Sequence, residues 1–154
     1  MRIETKPLTD QDLENMAIGI RPTDRFEFSL MSHGKPLEES LAGLQRKSLR
    51  ARAAYFDGDL VAIYGVLAPT LLSQEGYPWF CATGLVRDRA IRREFIDRTR
   101  AEAAWLAEGF SLLWNIVWCE NKTAIRWLKW IGFTFDGTEY VIQGHRFLKF
   151  HIGE

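Results

Sequence analysis

Residues 112–133 read LLWNIVWCENKTAIRWLKWIGF, and their reading decides the fold. Leu112–Trp118 is an apolar and aromatic run broken only by Asn115, a pattern that predicts a central strand covered on both faces. Cys119-Glu120-Asn121 makes a polar turn. Asn121 stands where a side chain caps a helix whose apolar positions are Ala124, Ile125, Leu128 and Ile131. Gly132 supplies a left-handed stop, and Phe133 opens the next strand. The segment is a strand–helix–strand unit.

Downstream, 133–140 and 146–152 read as an antiparallel pair joined through Ile142-Gln143-Gly144-His145. Upstream, 87–109 carries Ile91, Phe95, Thr99 and Leu106 on one face behind a capping Asp88, which predicts a long helix. Residues 77–85 form a strand with Pro78 near its start, where a missing amide is tolerated, and 68–76 is a loop before it. Asp57-Gly58 between the runs 50–56 and 60–67 predicts a tight hairpin. Residues 2–6 form a short first strand. Thr9 caps a helix from Asp10, with Asp12 at the third position of a capping box. Thr23 or Asp24 caps a second helix through Leu30, and Pro36 opens a third carrying Leu37, Leu41 and Leu44. The order is strand, helices, three strands, helix, strand, helix, two strands.

The length of 154 residues suits one domain spanning 1–154 with a sizeable core. Twenty basic and twenty acidic side chains cancel, so bulk charge recruits neither nucleic acid nor membrane. Arg46, Lys47, Arg50 and Arg52 make the one basic patch. Cys81 and Cys119 sit in apolar contexts, which points to free thiols and a reducing compartment. The His and Cys lack metal-ligand spacing, so no metal is expected. The first residues, MRIETKPLTDQDLENM, hold no apolar core of signal-peptide length, and no stretch approaches ~20 apolar residues. A cytoplasmic location is expected.

Asn121, Ala124, Gly132 and Phe133 resemble the N-x-x-A...G-F signature of the GCN5-related N-acetyltransferase (GNAT) fold. A wider set of residues resembles a phage family, the internal virion protein A-like proteins, themselves GNAT-like. That set is Asp24 and Glu27, Asp57-Gly58 with 61–66 (VAIYGV), Pro78-Trp79 then Thr83, Asn115-x-Val117, Asn121, 125–128 (IRWL), Gly132-Phe133, and Phe147 with Phe150. The resemblance implies an α/β (α+β) fold: a single GNAT-like domain with a mixed, mostly antiparallel central sheet of about seven strands. Helices cover both faces, and two strands splay to make a notch. It implies a phage or prophage protein that binds acetyl-CoA or another acyl-CoA and resembles an N-acetyltransferase, with an amine acceptor as its partner. The alternative is a non-catalytic virion or assembly protein that touches phage structural proteins and is packaged in the virion.

By the same resemblance, Phe80, Cys81, Ala82 and Thr83 form the splayed edge that pairs with pantetheine. Arg87, Arg89 and Ala90, at the amino end of the following helix, face the pyrophosphate, and Asn121 completes the cofactor-binding set. The sequence departs from the enzymes in three places. Residues 86–93 (VRDRAIRR) hold no glycine where a cradle of backbone amides needs one. The usual Tyr acid, seven residues after the helix Asn, is Leu128. The usual Glu base is missing from 77–85. Glu120 and Cys119 remain as catalytic candidates, with His33 and His145 as lone loop histidines. The arginines also read as a solvated helix face partnered by Glu94 and Asp97, and Trp79, Trp118, Trp127 and Trp130 read as core.

Overall fold

The computed structural model describes residues 2–153. Its elements are β1 (Ile3–Pro7), α1 (Asp10–Gly19), α2 (Pro22–Met31), α3 (Leu37–Lys47), β2 (Ser48–Phe56), β3 (Asp59–Leu67), β4 (Glu75–Ala82), α4 (Arg89–Ala107), β5 (Leu112–Trp118), α5 (Lys122–Ile131), β6 (Thr134–Ile142) and β7 (His145–Gly153). They form one seven-stranded sheet in the order β1-β2-β3-β4-β5-β7-β6. Every neighbouring pair is antiparallel except β4 with β5.

The two sheet faces bury separate cores. Leu13, Met16, Ile20 and Leu41 from α1 and α3 pack on Ala53, Ile63, Trp79 and Cys81. Ile91, Phe95, Leu106 and Leu128 from α4 and α5 pack on Ala62, Tyr64, Leu113 and Phe150 on the opposite face. Alternation along β3 feeds both cores, so Leu60 to Val66 are all buried. The strand covered on both faces is therefore β3. In β5 only Leu113 and Val117 are buried. The reading of β5 as fully covered is corrected: an apolar run there lines a cavity instead of a packed interior.

Local signals set most boundaries. Thr9 and Asp12 make a reciprocal capping box, with the shorter Asp serving at the third position. Asn121 caps α5 through Ala124 N–H, and Gly132, at φ +122°, ends it. Asp57 and Gly58 both take left-handed conformations in the β2–β3 hairpin. Neither Thr23 nor Asp24 caps α2. The helix starts on Pro22, whose missing N–H is no loss at the first helical position, and this frees Asp24 to turn inward. Strand β4 stops at Ala82, short of Leu85, because Thr83 turns the chain into a tight 3-10 turn at Gly84–Arg87. Helix α4 accordingly begins at Arg89 behind Asp88.

One glycine is fixed by space alone. A Cβ on Gly65 would lie 2.8 Å from Arg50 O and 2.8 Å from the Trp79 indole nitrogen, which is held by Ser48 Oγ. Gly65→Ala is expected to lower stability by about 1–3 kcal/mol through overpacking. Gly43→Ala, in the middle of α3 with its nearest foreign atom 3.9 Å away, is expected to raise it by about 0.5–1 kcal/mol. Urea titration of both variants measures the contrast.

Candidate functional site

The site begins where a ladder stops. Strands β4 and β5 pair only at Glu75–Leu112 and Gly76–Leu113, and then diverge. Thr83 N–H bonds Val61 O, so along β4 the residues turned toward β3 alternate with those turned toward β5. Pro78, Phe80 and Ala82 face the split; Cys81 and Thr83 face β3. Within the stretch 80–83 this alternation turns the backbone groups of Phe80 and Ala82 toward the split and those of Cys81 and Thr83 toward β3. Pro78 has no N–H to give β5, which is a direct reason for the ladder to end there.

Side chains of the protein fill most of the split. Asn115, the one polar residue of β5's run, donates from Nδ2 to Pro78 O at 2.7 Å and accepts from Ile116 N–H at 2.8 Å. Its carboxamide thus stands in for a peptide group between the strands. At the wide end, Asp24 of α2 accepts Ala82 N–H at 2.9 Å, and Arg21 N–H donates to Ala82 O at 2.9 Å. Across the gap, Glu27 of the same helix accepts Trp118 N–H at 3.3 Å and Asn121 Nδ2 at 2.9 Å. Phe80 is left with its N–H and C=O in the split, unpaired by either neighbouring strand.

Beneath these rungs lies a cavity of about 580 Å³ whose walls come from both faces of the sheet. Its lining is mainly apolar and aromatic, including Phe28, Tyr77, Phe80, Ile116, Trp127 and Leu128. Three carboxylates border it, in different states. Asp24, 4% exposed, is gripped by the Arg21 fork at 2.7 and 3.1 Å. Glu102 takes Arg52 at 3.1 Å and the Tyr64 hydroxyl, and burial together with that acid pushes the Tyr64 pKa upward. No cation among the described residues forms an ion pair with Glu27. Burial, reinforced by the Asp24 charge, raises its pKa from 4.5 to about 7, against the lowering effect of its bonds from Asn121 and Trp118.

The candidates read from sequence separate sharply. Phe80 lines the cavity, its ring 4.5 Å from that of Trp127. Cys81 is fully buried in the core under α1 and α3, and burial pushes its thiol pKa up. Thr83 directs its hydroxyl to Leu60 O at 2.9 Å. Both functional ends of Asn121 are occupied, by Ala124 N–H and by Glu27. Glu120 is exposed, pairs with Lys122 at 3.8 Å, and does not line the cavity. Cys119 follows β5, half-buried, with its N–H on Arg146 O, and it too lies outside the lining. Arg87, Arg89 and Ala90 are exposed. The amides of Ala90 and Ile91 are capped by the Asp88 carboxylate at 3.0 and 3.2 Å.

Sequence reasoning missed Arg21 and the roles of Asp24, Glu27 and Asn115. The signals were present: a lone Asn in an apolar strand, and charges at 21, 24 and 27, a spacing that places them on one helical face. Half of the basic patch is internal structure. Arg50 caps the carbonyls of Trp105 and Leu106 at the end of α4, and Arg52 lies 3.7 Å over the Trp105 ring.

Along β4 beyond the ladder, the Pro78 carbonyl and both Ala82 backbone groups have partners within the chain, as do the Ala90 and Ile91 amides at the start of α4.

Residues 66–141 match a family model described as "Bacteriophage T7, probable scaffold protein Gp13". That stretch is just under half of the chain and contains both strands of the split. No curated protein matches the sequence. Among solved structures, spermidine N-acetyltransferase from Vibrio cholerae in complex with CoA and spermine is 13% identical at a TM-score of 0.70, covering 98% of this chain and 95% of that one. N-acetyltransferase from Staphylococcus aureus Mu50 is 13% identical at 0.69, covering 99% of each chain. An acetyltransferase of the GNAT family from Streptococcus pneumoniae is 12% identical at 0.61, covering 97% and 98%. At such identities the likeness establishes the fold: the chain has the GNAT fold.

Two outcomes follow from the split. Asn115→Ala leaves Pro78 O and Ile116 N–H without partners and is expected to cost about 2–3 kcal/mol by chemical denaturation. Glu27 holds its proton more tightly folded, at about 7, than unfolded, at 4.5. Its contribution is therefore complete below the lower value and lost as pH rises through the upper one. Stability should fall by at most about 3 kcal/mol across that window. Glu27→Gln, which cannot ionise, should flatten this part of the pH–stability curve.

Proposed function

We propose that this chain is an assembly protein of a bacteriophage or prophage, using the GNAT fold as a frame for protein contacts and not as an acyl-CoA-dependent transferase. The observation that carries this reading is the split filled from within. Asn115, Asp24 and Glu27 take the backbone groups on which an acyl-CoA arm would depend, and Asp88 caps the helix end on which its phosphates would rest. Leu128, buried at the position of the usual acid, offers no proton for a leaving thiolate. The match of 66–141 to a phage scaffold model supports the setting.

One observation favours the transferase reading. Glu27, held near pH 7 beside the cavity, is suited to take a proton from an amine. That reading requires α2 to leave the split first.

Calorimetry with acetyl-CoA and with CoA separates the two. The expected result is no saturable binding up to millimolar ligand. Saturable micromolar binding, lost in Arg89→Glu/Arg92→Glu, would overturn the assembly reading. Deleting the gene from the phage that carries it is expected to halt particle assembly at an intermediate.

A further inference from the structure

We infer that α2 is a detachable clasp, closing the β4–β5 split from one side and released when Glu27 ionises.

The clasp holds both banks of the split. Through Asp24 and the Arg21 amide it pins Ala82 on β4; through Glu27 it pins Trp118 on β5 and Asn121 at the start of α5. Of its ten residues only Asp24 and Leu30 are buried, and one of these is a charge. A helix so lightly embedded belongs to the low-stability end of a fold. Its remaining ties are Arg25 to Ala17 O, Gln143 to Leu30 O, Phe26 packed on Trp118 and His145, and Phe28, half-buried against the core under α1 and α3. At its far end the chain passes through His33 and Gly34, both left-handed, before α3 begins. That turn can absorb a change of direction without disturbing α3.

The charge balance supplies the trigger. Arg21, which precedes α2, and Asp24 in its first turn neutralise one another. From β5 and α5, Glu27 meets only the Trp118 amide and the Asn121 carboxamide. His145, at the β6–β7 turn, packs edge-on against Trp118 and Phe26 without pairing with Glu27. On the β4 side Cys81 lies near Asp24, buried and held in its thiol form. An ionised Glu27 in the closed state is thus a second carboxylate one turn from Asp24 with one arginine between them. Swung into water it loses both the desolvation and the repulsion. Release therefore grows with pH until Glu27 is fully ionised in the closed state as well. Because α2 lines the cavity, release also removes one of its walls.

Amide hydrogen exchange, read by NMR on the intact chain without ligand, tests the clasp independently of any acyl-CoA result. Protection at Ala82 and Trp118 should lie well below that at Ile63 in the centre of β3. It should fall together at both sites by roughly 70-fold between about pH 5 and about pH 8, the ratio set by a closed-state pKa of about 7 against 4.5 in water. In Glu27→Gln it should stay flat; the wild-type measurement is decisive without the variant. Protection that does not change over this range would overturn the proposal, because pH control is then absent. Protection equal to that of Ile63 at every pH would overturn it too, since α2 would then come off only with the whole fold.

Discussion

A backbone amide or carbonyl left dry without a partner costs about 1–3 kcal/mol, and a sheet that splits creates several such groups at once. That constraint shapes the centre of this molecule. The β4–β5 ladder ends at Gly76, two residues before Pro78 comes to face β5 without an N–H. From there on each rung must be satisfied by something other than a strand. Asn115 supplies a carboxamide at the first open position, and α2 supplies two carboxylates at the last. The position of α2, the orientation of the α5 cap and the shape of the cavity all follow from these substitutions.

The carboxylates at the split are not equivalent, and geometry decides which one can respond to the surroundings. Asp24 and Glu102 each have an arginine in hydrogen-bond contact, so their charges are compensated where they stand. Glu27 has only neutral donors, and neutral donors stabilise an anion less than an ion pair does. Burial therefore raises its proton affinity by more than those bonds lower it, while the same bonds keep its position. The helix end at Asp88 follows the same logic with the opposite result. There an acid meets free amides and the positive end of a dipole, which leaves Arg89, Arg92 and Arg93 exposed around it with no phosphate needed to organise them.

Element order was legible because its signals are local. Period, capping residues and turn chemistry lie within a few residues of one another. The Thr9–Asp12 box, Asn121 with Gly132, and Asp57-Gly58 behave as their sequence contexts dictate. The site was legible only as a location. Which edge groups are open depends on the parity of β4 against β3, and that parity removed Cys81 and Thr83 from the edge. What fills the edge depends on contacts over long sequence separations, Asp24 with Ala82 and Glu27 with Asn121. No window of sequence brings such pairs together. The apolar run of β5 misled for a related reason, since facing a cavity and facing a packed core select the same residue types.

The boundary of the family match sharpens the relation between fold and use. The matched stretch, 66–141, holds Pro78, Asn115 and Asn121, the residues that make the split and its first bridge, but none of Arg21, Asp24 and Glu27. The opening with its first bridge and the clasp of its wide end thus come from different parts of the chain. Nothing in the fold obliges them to occur together. A GNAT sheet with the same split and an α2 lacking these side chains would have to satisfy Ala82 and Trp118 with solvent or with a bound molecule. Whether such a frame holds a cofactor or holds itself closed turns on a few residues of one short helix, which is why likeness of fold alone does not carry activity across.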